Sequence, residues 1–360
     1  MLREETFTAA KGRSRPGLVL LALLSSVLFP LALPNEFFNT GIPLFGFFSL
    51  APFFIAVIWA PTCRFASFLG VIYGIVTTIL TYFWLMNFGN YSIYTLGGVT
   101  LAYAIFGSIL GMALNSFSKL SVTGRPILIA VAWTFYEFLK SSGFLAFPWG
   151  LAAHPVHSLL PLIQVADLAG VWGITFLMAL INAWIAELLM RPITFKTGGL
   201  TFSKITKSRL WAQGLFTLTL FAAALIYGLV RIGTPIPARK NIDILLVQQN
   251  RDPWESGAYS RSVIEGMELT RRGLEEAGST IPDLIAWSET SFQTSISPER
   301  GAEGLEKFPR QQPFLPFVRE TGTWFLIGAP YVTDWKEYSA MNAAVLLSPE
   351  GEVAGVYGKQ

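Results

Sequence analysis

The sequence predicts a multi-span α-helical membrane domain followed by an α/β domain outside the cytoplasm. Three observations carry this. Hydrophobic residues make up 52% of the 360 and charged residues only 14%, whereas an ordinary soluble chain is about a quarter charged. The long apolar stretches all lie between residue 17 and residue 232. Beyond residue 241, short apolar runs alternate with polar helical segments in the order β-α-β-α-β-β-β, which places helices on a mixed sheet.

The chain divides into a 1–16 tail, a 17–232 bundle, a 233–240 linker stiffened by Pro235 and Pro237, and a 241–360 domain. Seven apolar stretches are read, at 17–33, 43–60, 65–86, 95–115, 126–145, 161–190 and 210–230. Most approach the roughly 20 residues that span the hydrocarbon core. The first two are short or broken by Pro30 and Pro52, so tilting or partial crossing is expected there. Leu18–Leu33 is followed by Pro34-Asn35-Glu36 rather than a small-residue cleavage site, so it reads as a membrane helix.

Orientation follows from Lys and Arg. The tail holds Arg3, Lys11, Arg13 and Arg15, and alternate loops hold Arg64, Lys119, Arg125, Arg191, Lys196, Lys204, Lys207 and Arg209. The other loops, 34–42, 87–94 and 146–160, hold none. Positive residues mark the cytoplasmic side. The N-terminus is therefore expected in the cytoplasm, and residues 241–360 on the periplasmic face of a bacterial inner membrane.

Polar groups inside the apolar stretches carry a cost and face partners or water. They are Glu137, Lys140, Gln164, Asp167, Asn182 and Glu187. Glu137 and Lys140 stand at i, i+3, a spacing that permits an ion pair. Helix-packing contacts are the expectation for each of the six, with a transport path as the alternative class. The segment Phe147-Pro148-Trp149-Gly150 to His157 is aromatic and free of Lys and Arg. It suits an interfacial anchor and the lip of a lipid-entry cleft equally. His154 and His157 lack a nearby carboxylate or Cys, so no metal site is expected. A net charge of +3 gives nucleic acid no support as a partner. The single Cys63 excludes a disulfide framework within the chain. No cofactor is implied.

In the second domain, Ile242–Val247 is an unbroken apolar run that suits a strand buried on both faces. A helix is predicted over 255–277, a strand over 283–287, a helix over 312–321, and strands over 324–328, 341–347 and 353–357. Ser348-Pro349-Glu350-Gly351 makes the last turn. Sites on open α/β sheets lie beyond strand ends. Glu289 follows Leu284-Ile285-Ala286-Trp287, and Lys359 follows Val353–Gly358. A Glu beside Trp287 is expected to be partly desolvated and to accept a proton. A fixed ammonium suits an oxyanion. The same two residues also make a structural ion pair.

Val247-Gln248-Gln249-Asn250, Trp287-Ser288-Glu289-Thr290 and Tyr357-Gly358-Lys359 resemble, in order, the motifs of a nitrilase-superfamily domain. With Phe147-Pro148-Trp149 and Gln164–Gly173 continuing to Asn182, nearly the whole chain resembles the apolipoprotein N-acyltransferase family. Ser288 stands where that family usually has proline. The resemblance implies an αββα nitrilase-like fold for residues 241–360. It also implies two-step acyl transfer. A Cys thiolate takes an acyl group from a phospholipid, and the thioester acylates the α-amine of a lipoprotein's diacylglyceryl-Cys. Glu289 matches the general base and Lys359 the oxyanion donor. Trp254, Phe147 and Trp149 match substrate-binding positions. The family's nucleophilic Cys lies beyond its Lys, whereas Cys63 falls by Arg64 on the cytoplasmic side. The domain is thus expected to be incomplete at its C-terminus, with a missing segment as partner, and inactive alone. A membrane-tethered amidase or nitrilase and a non-catalytic lipid-binding protein are the alternatives.

Overall fold

The computed structural model describes residues 14–120, 124–143, 146–190, 194–196, 199–201, 204–235, 241–250, 258–278, 280–299, 301–334, 336–337 and 339–359. The chain forms two compact units, Met1–Pro235 and Ile236–Gln360.

The first unit is helical: α1 (Arg15–Ala32), α2 (Pro43–Gly46), α3 (Ala51–Ile58), α4 (Cys63–Tyr82), α5 (Gly98–Ser116), α6 (Arg125–Lys140), α7 (Leu160–Ile163), α8 (Ala166–Leu189) and α9 (Lys204–Gly233). Among the described residues, five helices are long and apolar enough to cross a membrane: Arg15–Ala32, Cys63–Gly89, Ile93–Lys119, Ala166–Leu189 and Leu210–Gly233. The other two predicted stretches, 43–60 and 126–145, form shorter helices. Residues 43–60 form α2 and α3, each with a proline in its first turn. The backbone groups freed between them are not left bare. Asn182 on α8 accepts from Leu50 N (2.8 Å) and donates to Gly46 O (2.8 Å), and Ser25 on α1 donates to Ser49 O (2.6 Å). This satisfies the rule that backbone at membrane depth must find internal partners. All eight residues of α3 are buried, as expected of a helix apolar on every side. α6 has 16 residues, about 24 Å of helix against about 30 Å of hydrocarbon.

α4 and α5 touch backbone to backbone. A Cβ at Gly70 would come within 1.9 Å of Gly107 O, and one at Gly74 within 2.2 Å of Tyr103 O. Small residues at helix contacts permit this approach. Between α8 and α9, where the sequence suggests only a loop, Thr194–Lys196 (β1) and Gly199–Thr201 (β2) pair antiparallel.

The second unit is a five-stranded sheet with helices on one face: β3 (Ile244–Val247), α10 (Ala258–Ala277), β4 (Leu284–Trp287), α11 (Glu303–Glu306), α12 (Phe314–Thr321), β5 (Trp324–Asp334), β6 (Ser339–Leu347) and β7 (Val353–Gly358). The strand order is β3-β4-β5-β6-β7. β3, β4 and β5 are parallel, and β6 is antiparallel to β5 and to β7. Val247, Ile285, Trp287, Phe325, Val345 and Leu347 pack with Val263, Met267, Phe314 and Phe317 as the core. The opposite face is open. Leu246 is 78% exposed, and Ile244 and Tyr357 are exposed with it. The expectation that the first strand is buried on both faces therefore fails. β3 is an edge strand, and helices cover only the face that carries Val247.

Candidate active site

Sheet direction brings the predicted residues together. β7 is antiparallel to β6, which is antiparallel to β5, so β7 runs with β4 and β5. The C-terminal ends of β4 and β7 therefore share one edge, where the chain enters β6. Glu289 leaves the end of β4, Lys359 leaves the end of β7, and Asn342 stands near the start of β6.

The three side chains and backbones interlock. Lys359 Nζ donates to Glu289 Oε1 at 3.1 Å, and Asn342 Nδ2 donates to the same oxygen at 2.6 Å. Lys359 N donates to Asn342 O at 2.8 Å. Asn342 thus seats both the carboxylate and the lysine backbone. Gly358 allows this, since a Cβ there would fall 2.0 Å from Met341 Sδ. The glutamate's Oε2 has no protein partner among the described residues, so one carboxylate oxygen is tied down and the other can take a proton. The pair is open to water, with the lysine side chain 69% and the glutamate side chain 62% exposed.

That exposure corrects the expectation of a desolvated Glu289. Trp287 turns the other way. It is buried, donates from Nε1 to Thr270 Oγ1 (3.1 Å) and stacks on Phe292 (5.8 Å between centroids). Alternation would put residues 287 and 289 on one face, but β4 ends at Trp287 and Glu289 lies beyond it, 62% exposed, so the indole does not cover it.

The turn that carries the glutamate is strapped to β5. Phe292 N donates to Gly328 O (2.9 Å), and Ser291 Oγ accepts from Gly328 N (3.1 Å). A Cβ at position 328 would lie 2.6 Å from Thr290 N and 2.8 Å from Glu289 Cα, so this close crossing requires glycine. Ser288 Oγ donates to the buried Gln249 Oε1 (3.0 Å), tying the end of β3 to the same turn. A proline at this position could not make that bond. Asn342, Gly328 and Gln249 were not named as site residues from the sequence. The signals were present: an Asn inside an apolar strand run, where Asn is depleted, and a Gly inside a strand, which marks close backbone approach.

Phe147 and Trp149 belong to the helical unit. Trp149 is 55% exposed, and its ring meets Trp84 (5.9 Å) and Phe147 (6.4 Å). Trp254 lies outside the described residues. Cys63, the first residue of α4, is exposed. His154 Nδ1 accepts from Leu151 N (3.2 Å). Burial, with Lys140 nearby, pushes His154 down to about 4, which keeps the ring a neutral acceptor.

The other polar groups that the sequence places in the apolar stretches make structural contacts. Arg125 at the start of α6 and Glu187 near the end of α8 form a bidentate pair, with Nη2 donating to Oε2 at 2.8 Å and Nε to Oε1. Asp167 accepts from Tyr227 (2.6 Å) and Arg231 (2.9 Å), and Gln164 donates to Leu160 O (3.1 Å).

Residues 25–184 match the model of the apolipoprotein N-acyltransferase N-terminal domain. The chain is 33% identical over 339 residues to apolipoprotein N-acyltransferase 2 of Treponema denticola, covering 94% of this chain and 63% of the relative. It is 31% identical over 362 residues to apolipoprotein N-acyltransferase 2 of Treponema pallidum (93% and 62%). It is 30% identical over 343 residues to apolipoprotein N-acyltransferase of Borreliella burgdorferi (94% and 62%). The chain therefore spans less than two thirds of the length of these relatives.

Proposed function

Because the chain belongs to the apolipoprotein N-acyltransferase family, we propose that its sheet unit supplies the base and the oxyanion donor of an acyl transfer. The donor is a membrane phospholipid and the acceptor is the N-terminal diacylglyceryl-Cys of a lipoprotein. The observation that carries this is the Glu289–Lys359 contact at a shared strand edge, with one carboxylate oxygen unpartnered among the described residues. In the first step Glu289 takes the proton of a thiol. The thiolate adds to the ester carbonyl, Lys359 holds the oxyanion, and Glu289 returns the proton to the glycerol oxygen as the lysophospholipid leaves. In the second step the lipoprotein amine adds to the thioester, Glu289 takes the amine proton and passes it to the departing sulfur, and the thiol is released as the amide forms. Cys63 is not that thiol in this reading, since the Lys and Arg distribution puts it by Arg64 on the cytoplasmic side. Residues 241–360 are a nitrilase-like domain in this reading, and Phe147, Trp149 and Trp254 contact lipid. The unit lies on the periplasmic side of the inner membrane, as the Lys and Arg distribution suggests.

A chimera carrying the cysteine-bearing remainder of a relative tests the chemistry. Glu289→Gln is expected to lower thioester formation per folded molecule by about 10²–10⁴-fold, and Lys359→Met by about 10²–10³-fold. Near-normal thioester yield in both would make the pair scaffold. The 360 residues alone are expected to give background transfer, unchanged by Cys63→Ala. Orientation is tested with Glu276→Cys in a Cys63→Ala background. An impermeant thiol reagent should label it in intact spheroplasts, and labelling only after lysis would reverse the assignment.

A further inference from the structure

Four side chains of the helical bundle converge on one stretch of loop backbone. Glu137 accepts from Ala152 N with both carboxylate oxygens (2.9 and 3.1 Å). Lys140 Nζ donates to Gly150 O (3.1 Å) and Trp149 O (3.3 Å). Tyr82 on α4 donates to Trp149 O (2.8 Å), and Tyr103 on α5 donates to Phe147 O (3.0 Å). The direct ion pair that the i, i+3 spacing permits between Glu137 and Lys140 is not made at contact distance, although the two charges attract. Each charge is directed at the loop instead, and the lysine also lies over the rings of Tyr103 (5.4 Å) and Tyr136 (5.7 Å). Trp133 Nε1 (2.9 Å) and Thr175 Oγ1 (3.0 Å) complete the carboxylate's donors.

Packing alone does not call for this arrangement. Two buried ionic groups on one helix turn would satisfy each other at lower cost if their only task were neutrality. Charge-assisted hydrogen bonds in a low-dielectric core are the strong kind, and here they fall on a segment without helical bonds of its own. The fit is close. Gly150 has φ of +59°, and a Cβ there would lie 2.8 Å from Tyr82 Oη. What the clamp leaves outside is Trp149, half exposed and edge-on to Trp84; Trp84 in turn lines an open groove of about 470 Å³ whose walls are part apolar (Leu33, Leu80) and part polar (Asn35, Glu36, Asn39).

We propose that Glu137 and Lys140 are positioning residues that act through the backbone of residues 149–152 to hold Trp149 against Trp84 as a fixed lipid contact. This rests on the reading of Phe147 and Trp149 as lipid-binding.

The 360-residue chain in phospholipid vesicles doped with a diazirine-acyl phospholipid tests it. Photocrosslink yield at positions 84 and 147–152 is measured per folded molecule. Lys140→Met and Glu137→Gln should each lower the yield by about two- to tenfold, the change that corresponds to one or two hydrogen bonds. Lys140→Arg, which keeps two-carbonyl donation, should restore it. Arg125→Met, a structural change elsewhere on α6, should leave it unaltered. Should Lys140→Met not fold, Tyr82→Phe and Tyr103→Phe remove single donors to the same backbone and should each lower the yield toward twofold. If Trp149→Ala lowers the yield and the clamp variants do not, the positioning role is overturned and the lipid contact stands. If Trp149→Ala itself changes nothing, the lipid-contact reading falls and the positioning role with it.

Discussion

Arg125 and Glu187 in the helical unit make a two-bond ion pair with side-chain exposures of 10% and 0%, whereas Lys359 and Glu289 in the sheet unit share a single bond and stay more than half exposed. The same residue types therefore do different things. In the bundle, both oxygens of Glu187 and both oxygens of Glu137 are occupied, so neither carboxylate has a free oxygen to offer a substrate. At the strand edge, Glu289 Oε2 has no protein partner among the described residues, and Lys359 uses one of its three N–H groups on Oε1. Saturated polar groups hold structure in place, and unsaturated ones at an accessible edge can react.

Three changes would break or sharpen that contrast. The largest is expected in the bundle. Glu187→Gln or Arg125→Met leaves one charge buried without its partner, which costs about 3–5 kcal/mol. Denaturant or thermal unfolding in detergent should register it, and a loss under 1 kcal/mol would mean that water reaches the pair. Next comes Asn342→Ala in the cysteine-bearing chimera. The residue acts through Glu289, so thioester formation should fall about three- to tenfold, the worth of one charge-assisted hydrogen bond at an exposed site. Asn342→Gln, which keeps an amide donor, should recover part of the loss. A structural role alone would lower protein yield and leave thioester formation per folded molecule unchanged.

The smallest effect concerns His154. Its folded pKa of about 4 lies below the ordinary value of 6.5. Between these two pH values the unfolded chain binds a proton that the folded chain does not, so stability declines as pH falls from 6.5 toward 4. Comparison with His154→Gln should show a shallower acid slope in the variant. Parallel slopes would place the histidine in water.

Hydropathy and periodicity are local properties, and what depends on them was legible in the sequence. The change from membrane to α/β character near residue 235 is one such feature. The order of strands and helices after it is another, with β4, α12 and β7 falling within a few residues of their predicted limits. The placement of Glu289 and Lys359 at strand ends follows from the same local pattern. What only the tertiary structure decided depends on residues far apart in the chain. Asn182 satisfies a helix break 132 and 136 positions away, so the sequence showed a proline-broken stretch but not how it survives in lipid. Asn342 reaches the edge that carries Glu289 and Lys359 because β6 runs against its neighbours, a fact of sheet direction rather than of composition. Trp287 and Glu289 are two residues apart, yet one is core and the other open to water. Which helices cover the sheet decides their burial, and no window of sequence contains that information.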